Sequence, residues 1–413
     1  MTVIIIIAAV SSFYFLDYKI YHPFTQNKDI KVGILFSETG TMADSERPVM
    51  RAALLAIDQI NAEGGINGRH ITPIVDDGVS DWNKYAVLAK TMILQNHVKV
   101  IFGCWTSAAR KAVKPIVEKY DNLLIYPTQY EGVEESNNII YLGATPNQQL
   151  VPAASWMFAH YGKKVYLVGS DYIYPHIANE ILAHEIAQHG GEIVGSQYIS
   201  LGNTNVDQVI KDIIQKKPDF IFNTINGSTN IAFFKRLSDL TAGQQRPLVM
   251  SFSLSSTGTQ IAKIPGDYAA WSYFLTQDNP ENTAFLKAWR AKYGSIDEVN
   301  DSAVTIYAGV YLWAQAARQA PSPEPNVVRD FMLRASVPSP AGVIYIDPVN
   351  ANAWRTVLIN KINPNGLNEV VWSSQAPIQP IIYPDFKTKA QWNILEYQLY
   401  AKWNESWENN SHD

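Results

Sequence analysis

Hydroxyl, amide and aromatic side chains follow six of the predicted strands, at the position where open α/β sheets bind their ligands. Side chains of these types can hydrogen-bond a small uncharged polar molecule and enclose it between aromatic rings. The sequence therefore predicts a solute-binding cleft. Its segments are SETG (37–40), CWTSAAR (104–110), YPTQYEG (126–132), SDYIYP (170–175), NGSTN (226–230) and SLSST (253–257).

These segments lack the residue combinations that catalysis requires. They contain no Ser/His/Asp set, no pair of carboxylates suited to acid–base chemistry and no Gly-rich phosphate-binding motif. An amide-processing enzyme would need a nucleophile with its base, or metal ligands, and the sequence offers neither. We expect a binding protein that needs no cofactor.

Isolated reactive residues are interpreted as structural. Cys104 is the only cysteine, which excludes an internal disulfide, and it ends an apolar strand, so we expect a buried thiol. His176 and His184 are eight residues apart on one helical pattern, farther than the i, i+4 spacing of a metal pair, so we expect solvated histidines. Asp76 and Asp77 are adjacent in a strand and point to opposite sides, an arrangement that suits acid–base catalysis poorly.

Short β-rich runs alternate with amphipathic helical patterns from residue 30, which is typical of parallel sheets with crossover helices. Two series of strands indicate two sheets. The second series is followed by a block of three helical patterns (281–335) and then by a set of antiparallel strands. The predicted strands are 31–36, 71–77, 98–105, 123–128, 164–171, 192–199, 219–225, 247–253 and 267–274. One helix is predicted to start near Ser45. Further helices are predicted at about 82–95, 106–119, 175–189, 204–216, 227–240 and 255–263.

Length and composition set the class of protein. A chain of 413 residues suits two α/β lobes, and 47% hydrophobic with 17% charged residues indicates compact globular structure. The net charge is −5 and no basic cluster occurs, which argues against a nucleic-acid partner.

The apolar run at residues 2–16, TVIIIIAAVSSFYFL, has the length of a signal peptide and is short for a transmembrane helix. No cysteine stands directly after this run, so a bacterial lipoprotein anchor is excluded. We predict an export signal or a signal anchor, and hence a periplasmic or extracytoplasmic protein that could be anchored to the inner membrane through this run. A buried N-terminal strand or helix is the alternative.

Several segments resemble the urea and short-chain-amide branch of the type I periplasmic binding proteins. They are FGCWTSAARKAV, LLIYPTQYEGVEES, GATPNQQ, GSDYIYP and INGSTNIAFFK, and the resemblance covers roughly residues 30–380. That branch contains the binding components of ABC transporters for urea and amides and the amide sensor of amidase operons. The resemblance implies an α/β fold with two doubly wound lobes, joined by three crossovers, that close on a solute.

The resemblance also implies a division of the chain. Residues 29–145 and 275–335 would form the first lobe, and residues 146–274 and 336–385 the second. Residues 1–28 would be the signal segment with its linker. Residues 386–413 remain as an aromatic amphipathic extension.

Eight residues are carried over as ligand-binding candidates, and each could instead be a helix cap or a core residue. Five of them follow strands of the first lobe. The other three belong to the second lobe, one after the strand at 164–171 and two in the segment 226–229. They are Trp105, Ser107, Tyr126, Thr128, Gln129, Tyr172, Asn226 and Ser228. Ser107 would also begin a helix whose backbone N–H groups could bind a carbonyl or carboxylate oxygen.

The chain departs from the pattern of the urea branch at Ser228, where an aspartate is usual, and at 255–257, where acidic residues are usual. A missing carboxylate removes an acceptor for ligand N–H groups. We therefore expect a preference for a simple aliphatic amide over urea, if Ser228 faces the solute and does not cap a helix. Asp171 could replace the missing acceptor, although a helix cap is the simpler interpretation.

Two functions remain open at this point. The first is a receptor that delivers a small amide, a urea-like or an amino-acid-like solute to the permease of an ABC transporter. The second is a sensor of the same fold that signals to a kinase or regulator. The extension at residues 386–413 is compatible with a sensor, and an ordinary surface helix explains it equally well.

Overall fold

Two largely parallel β-sheets organise the protein in the computed structural model, which describes residues 29–243, 246–254, 266–363 and 368–409. Within these ranges no helix is both long and apolar enough to span a bilayer. The apolar run at 2–16, the predicted helix at 255–263 and the departure from the urea pattern at 255–257 lie outside the described residues.

The first sheet has five parallel strands whose side chains are mostly buried because helices cover both faces. Its order is β2-β1-β3-β4-β5, formed by β1 (Ile30–Phe36), β2 (Ile71–Asp77), β3 (Ile101–Gly103), β4 (Leu124–Tyr126) and β5 (Ile139–Tyr141). The helices between these strands are α1 (Ala43–Ala62), α2 (Trp82–Thr91), which a π-helical turn at Met92–Asn96 continues, and α3 (Ser107–Lys119).

The second sheet has seven strands, of which the last two are antiparallel. Along the sheet they are β7 (Glu192–Ile199), β6 (Lys164–Ser170), β8 (Phe220–Thr224), β9 (Leu248–Ser251), β10 (Tyr268–Trp271), β14 (Leu358–Ile362) and β15 (Asn368–Ser373). Its helices are α4 (Leu150–His160), α5 (Ile173–Gln188), α6 (Asp207–Lys216) and α7 (Gly227–Leu240).

Between β10 and β14 the chain returns to the first sheet, where α9 packs against α1. The elements of this return are α8 (Pro280–Tyr293), α9 (Asp301–Gln319), α10 (Pro325–Met332) and a small antiparallel sheet of β11 (Ser336–Ser339), β12 (Gly342–Ile346) and β13 (Ala353–Trp354). A parallel bridge joins Tyr141 of β5 to Asn352. The lobe boundaries stay a prediction, and this bridge favours placing 336–354 with the first sheet.

The chain passes between the two sheets three times, after β5, after β10 and after β13. This confirms the predicted fold class, an α/β protein with two doubly wound lobes joined by three crossovers. The predicted strands and helices that fall on described residues are present, with α7 at the bounds expected for it.

Three elements were not predicted, and one of them is the short strand β11, which directly follows the expected helical block. Strand β5 has only three residues, too few to show a period. Helix α4 contains a proline at its third position, a residue that commonly marks the boundary of a helix. Proline is tolerated there because the first-turn N–H groups have no partner inside the helix.

Candidate functional site

Residues that follow strands of the first sheet contact residues that follow strands of the second, and we call the region between them the cleft. The Gln129 amide Nε2 of the first lobe donates to the Phe252 carbonyl of the second at 3.1 Å. On the other side, the hydroxyls of Thr41 and Ser228 are 2.9 Å apart, and the Ser228 N–H donates to the Thr41 carbonyl at 3.2 Å. The two lobes are therefore in direct polar contact around the cleft.

The loop after β3 positions Trp105 and Ser107. Cys104 has φ of +68°, a left-handed conformation that turns the chain sharply at the end of the strand. The Thr106 hydroxyl then accepts a hydrogen bond from the Ala109 N–H at 3.1 Å and caps α3. Ser107 is thus the first residue of α3, as predicted, and Cys104 is buried, as predicted.

A buried ionic cluster binds the side chain of Ser107. Its hydroxyl donates to the Glu131 carboxylate and accepts from the Arg110 guanidinium, whose Nη1 lies 3.0 Å away. Arg110 also donates to Glu131 at 3.0 Å and to Glu134 at 2.9 Å. The Ser107 hydroxyl is therefore fixed by charged partners.

The charges of this cluster compensate one another. Lys111 lies 3.0 Å from Glu134 and 2.7 Å from Glu396, which comes from the C-terminal extension. Burial lowers the pKa of the Lys111 ammonium, but these carboxylates outweigh it and the pKa is raised. Burial likewise raises the pKa of Glu134, but Arg110 and Lys111 outweigh it and the pKa is lowered. Lys111 and Glu134 therefore both stay charged, and their charges neutralise each other inside the protein.

Tyr126 and two other tyrosines form an aromatic wall against Arg110. The guanidinium lies 4.8 Å from the Tyr126 ring and 4.7 Å from the Tyr130 ring, and Tyr130 stacks on Tyr141 at 5.0 Å. The Tyr126 hydroxyl donates to the Trp105 carbonyl at 2.6 Å. Because this bond occupies the hydroxyl proton, Tyr126 can offer a solute its ring and the oxygen's acceptor capacity, and no O–H donor.

Two buried polar atoms in the cleft, Thr128 Oγ1 and Gln129 Oε1, have no hydrogen-bond partner among the described residues, and a third, Tyr174 Oη, has none besides the nearby Gln129 side chain. The first two follow β4 of the first sheet, and Tyr174 lies in the first turn of α5 of the second. Burial raises the pKa of the Tyr174 phenol, and the adjacent Gln129 side chain opposes that rise. A buried polar atom left unpaired costs about 1–3 kcal/mol, so these atoms are poised to bind a ligand.

Tyr172 lies beside Tyr174 at the start of α5, and their ring centroids are 6.3 Å apart. Its side chain is buried, and burial raises the pKa of its phenol, with Tyr174, Tyr126 and Glu131 adding to the effect. The structure therefore brings Tyr172 of the second lobe close to Tyr126 of the first.

The helix-cap alternative for Ser228 and the helix-cap expectation for Asp171 are both wrong. Ser228 does not cap α7, because Asn226 holds the cap position and Ser228 bonds to Thr41. The Asn226 side chain donates back to the Thr224 carbonyl at 3.1 Å and caps nothing either. Asp171 is not the cap of α5, since Tyr172 holds that position.

The prediction of solvated histidines is wrong for two positions of α5. The His176 ring stacks on Tyr198 at 3.7 Å, and its Nε2 is 2.7 Å from the Asp171 carboxylate. His184 stacks on Phe386 of the extension at 4.0 Å. Aromatic residues that are distant in sequence therefore cover both imidazole rings. In the described part of the chain, no cluster of His, Cys, Asp and Glu could hold a metal ion.

Sequence reasoning missed several residues of this region. Glu131 and Tyr174 lie inside two segments already singled out, YPTQYEG and SDYIYP, so their signal was available. Glu46 had no such signal, because a glutamate near the start of an amphipathic helix is normally exposed. It is fully buried, and its carboxylate accepts hydrogen bonds from the Ser37 N–H at 2.7 Å and from the Tyr85 hydroxyl.

Curated relatives are similar over much of their length at low identity. The Leu/Ile/Val-binding protein homolog 8 of Brucella abortus (strain 2308) is 23% identical over 345 residues, which covers 75% of this chain and 81% of that protein. A stretch of 113 residues is 30% identical to limonene hydroxylase of Geobacillus stearothermophilus and covers 27% of this chain. The chain spans only 21% of that protein's length, too little to transfer an activity.

Solved structures share the fold. A solute-binding protein of an ABC transporter from Rhodopseudomonas palustris BisB5, in complex with 3,4-dihydroxybenzoic acid, superposes with a TM-score of 0.77 at 21% identity, covering 88% of this chain and 100% of that chain. The branched-chain amino acid substrate-binding protein of Streptococcus pneumoniae, in complex with isoleucine, superposes with a TM-score of 0.71 at 23% identity, covering 85% of this chain and 100% of that chain. Residues 30–389 match the family model of the periplasmic binding protein domain, and the chain therefore belongs to the periplasmic binding protein family, with its two-lobed type I fold.

Proposed function

We propose that this protein is an extracytoplasmic receptor that closes over a small neutral amide and delivers it to the permease of an ABC transporter. The observation that carries the proposal is the set of buried polar atoms on Thr128, Gln129 and Tyr174, whose hydrogen bonding is incomplete and which come from both lobes. Closing the lobes on a solute that pairs with these atoms would offset the cost of burying them.

The chemistry of the three atoms matches a primary amide. Gln129 Oε1 is an amide oxygen, which can only accept, and it suits a ligand N–H; the amide Nε2 of the same side chain already donates to the Phe252 carbonyl. The hydroxyls of Thr128 and Tyr174 can each donate to a carbonyl oxygen. A primary amide supplies two N–H donors and one carbonyl, so a single small molecule can satisfy the set.

A neutral solute is favoured because the nearby charges are already paired. Glu131 and Glu134 are bonded to Arg110 and Lys111, and all four side chains are buried. An ammonium or carboxylate group of a solute would need a counter-charge that the cluster does not leave free. This argues for an amide over a zwitterionic amino acid.

The remaining candidates of the ligand-binding set form the walls in this proposal. Trp105, Tyr126 and Tyr172 supply aromatic surface, and Ser107 supplies the first turn of α3. Asn226 and Ser228 close the second-lobe side. The names of the similar proteins support a solute receptor and point to other solutes, namely aromatic acids and branched-chain amino acids.

Calorimetric titration of the full-length protein decides among these solutes. Acetamide, propionamide, urea, isoleucine and 4-hydroxybenzoate would be titrated in parallel, and thermal unfolding would be followed with each. We expect binding of the aliphatic amides, with about 2.7 kcal/mol of added stability at a ligand concentration 100 times the dissociation constant. Binding of isoleucine or 4-hydroxybenzoate alone would contradict the amide proposal.

Uptake by the native cell tests delivery to a permease. A deletion strain is expected to lose high-affinity uptake of radiolabelled acetamide and to regain it with the wild-type gene. Normal uptake together with a lost transcriptional response to acetamide would favour the sensor of the same fold.

A further inference from the structure

The chain ends, within the described residues, in a segment that runs along the cleft after helix α11 (Lys389–Lys402). We call residues 403–409 the C-terminal strap. The Ile173 N–H donates to the Trp407 carbonyl at 3.0 Å, and the Asn409 N–H donates to the Asp171 carbonyl at 3.0 Å. An antiparallel bridge joins Glu408 to Tyr172 between these two bonds. The backbone of the strap is thus paired with the segment that carries Tyr172.

The same strap contacts the first lobe. The indole Nε1 of Trp82, at the start of α2, donates to the Glu408 carboxylate at 2.5 Å. Lys111 of α3 lies 5.0 Å from the centre of the Trp407 ring. The strap therefore joins the two lobes at the edge of the cleft.

The strap and the residues just before helix α11 both contact the second lobe. Phe386 stacks on His184 of α5, and Lys387 lies 2.8 Å from Glu180 of the same helix. Trp403 is buried with an edge-on contact to His176 at 4.9 Å. Backbone pairing, ring stacking and an ion pair all point to α5 and the loop before it. The helix that precedes the strap also has ion pairs with the first lobe, of Glu396 with Lys111 at 2.7 Å and of Lys389 with Glu135. When the lobes separate, these pairs and the contacts of the strap to Trp82 and Lys111 must break.

We propose that the C-terminal strap is a latch that holds the cleft closed and positions Tyr172. It stays on the second lobe and engages Trp82 of the first lobe only in the closed state. A contact made in one state alone shifts the equilibrium towards that state. Because a solute enters and leaves through the open state, the latch would slow its release, and it would slow its entry as far as it also closes the ligand-free protein.

The substitution Trp82→Phe tests the latch, because it removes the indole N–H and keeps an aromatic ring. Trp354→Phe is a matched control: Trp354 Nε1 also donates to a carboxylate, that of Asp347 at 3.0 Å, but within the small sheet. We expect Trp82→Phe to speed acetamide dissociation about tenfold in stopped-flow measurements, the size expected for a lost hydrogen bond to a charged group. The control should dissociate at the wild-type rate.

Two readouts do not depend on the proposed solute. Small-angle scattering of the ligand-free protein should give a larger radius of gyration for Trp82→Phe than for wild type or the control. Hydrogen exchange at the Ile173 amide should stay slow in Trp82→Phe and become fast in a chain truncated after Lys402, which lacks the Trp407 carbonyl. If acetamide fails to bind, the proposed solute is wrong while these readouts still judge the latch.

An unchanged radius of gyration in both Trp82→Phe and the truncated chain would overturn the latch. So would equal acetamide dissociation rates in wild type and both of these variants. Fast exchange at Ile173 in Trp82→Phe would overturn the assignment of the strap to the second lobe.

Discussion

At the scale of single residues, the cleft is defined by polar atoms that the folded protein leaves unpaired. Thr128 and Gln129 sit in a buried loop where natural proteins normally pair every polar atom. Such atoms lower the stability of the ligand-free protein. They become useful only when a ligand supplies the missing partner, so stability and binding should respond to their removal in opposite directions.

The substitution Thr128→Val tests this opposition. Valine has nearly the same shape and no hydroxyl, so the ligand-free protein should gain about 1 kcal/mol of unfolding free energy, while acetamide affinity should fall roughly tenfold. Thr305→Val is the control, because the Thr305 hydroxyl accepts from Arg355 at 3.0 Å and its loss should destabilise the protein without touching the cleft. Chemical unfolding and calorimetry measure both effects. Loss of stability in Thr128→Val would show that its hydroxyl is already paired.

Glu46 predicts a pH dependence of stability. Burial raises its pKa from the ordinary value of 4.5 to about 8, against the opposing bonds from Tyr85 and Ser37. The native protein therefore binds a proton that the unfolded chain has released, and the stabilisation, complete below about pH 4.5, is lost as the pH rises through 8. Glu46→Gln should remove this decline in unfolding temperature between pH 5 and 9. Glu63→Gln, at an exposed position, is the control. Equal dependence of the unfolding temperature on pH in wild type, Glu46→Gln and Glu63→Gln would refute the assignment of this decline to Glu46.

At the scale of elements, helix α3 connects the turn at Cys104 to the ionic cluster. Its first turn holds Ser107, and its next turn holds Arg110 and Lys111, so one helix sets the spacing between the cleft and the charges behind it. The Thr106 cap fixes where this helix begins. A shift in that start would move Ser107 out of reach of Glu131.

Thr106→Ala should therefore affect both stability and binding. Loss of a helix cap costs about 1 kcal/mol of unfolding free energy. Asn279→Ala is a matched control, since Asn279 caps α8 by accepting from the Asn282 N–H at 2.7 Å, away from the cleft. Both variants should lose similar stability, and only Thr106→Ala should weaken acetamide binding, by about tenfold. Equal affinities in the two variants would mean that the start of α3 does not matter to the site.

At the scale of the whole molecule, closure brings together residues that belong to different lobes. Ser228 meets Thr41, Gln129 meets Phe252, and the strap meets Trp82. These contacts exist only when the two sheets face each other at the present distance. Affinity should therefore depend on them as well as on the atoms that touch the solute.

Ser228→Asp tests whether its position also selects the solute. A carboxylate could accept from Thr41 and from a ligand N–H, so we expect the affinity for urea relative to acetamide to rise about tenfold. Thr41→Val is the control, since it removes the hydroxyl contact between the lobes without adding a charge and should weaken the binding of both solutes alike. An unchanged ratio of the two affinities in Ser228→Asp would place Ser228 outside the solute's reach.

Local patterns in the sequence were enough to predict the two sheets, the helix between 227 and 240, the position of Ser107 at a helix start and the buried Cys104. Strand and helix periods depend on residues a few positions apart, and strand ends follow from them. A cleft lined by polar residues after the strands was predictable for the same reason. The sequence by itself also indicated the motifs that contain Glu131 and Tyr174.

Only the tertiary structure decided which of those residues are paired. Ser107 and Glu131 are 24 positions apart, Tyr130 and Asn352 are 222 apart, and Trp82 and Glu408 are 326 apart. A hydrogen bond forms where two side chains meet in space, and no local period records such a meeting. The same limit explains why the helix-cap alternative for Ser228 stayed open and why His176 was predicted to be a solvated side chain. Their partners, Thr41 and Tyr198, are brought to them by the packing of whole lobes and strands.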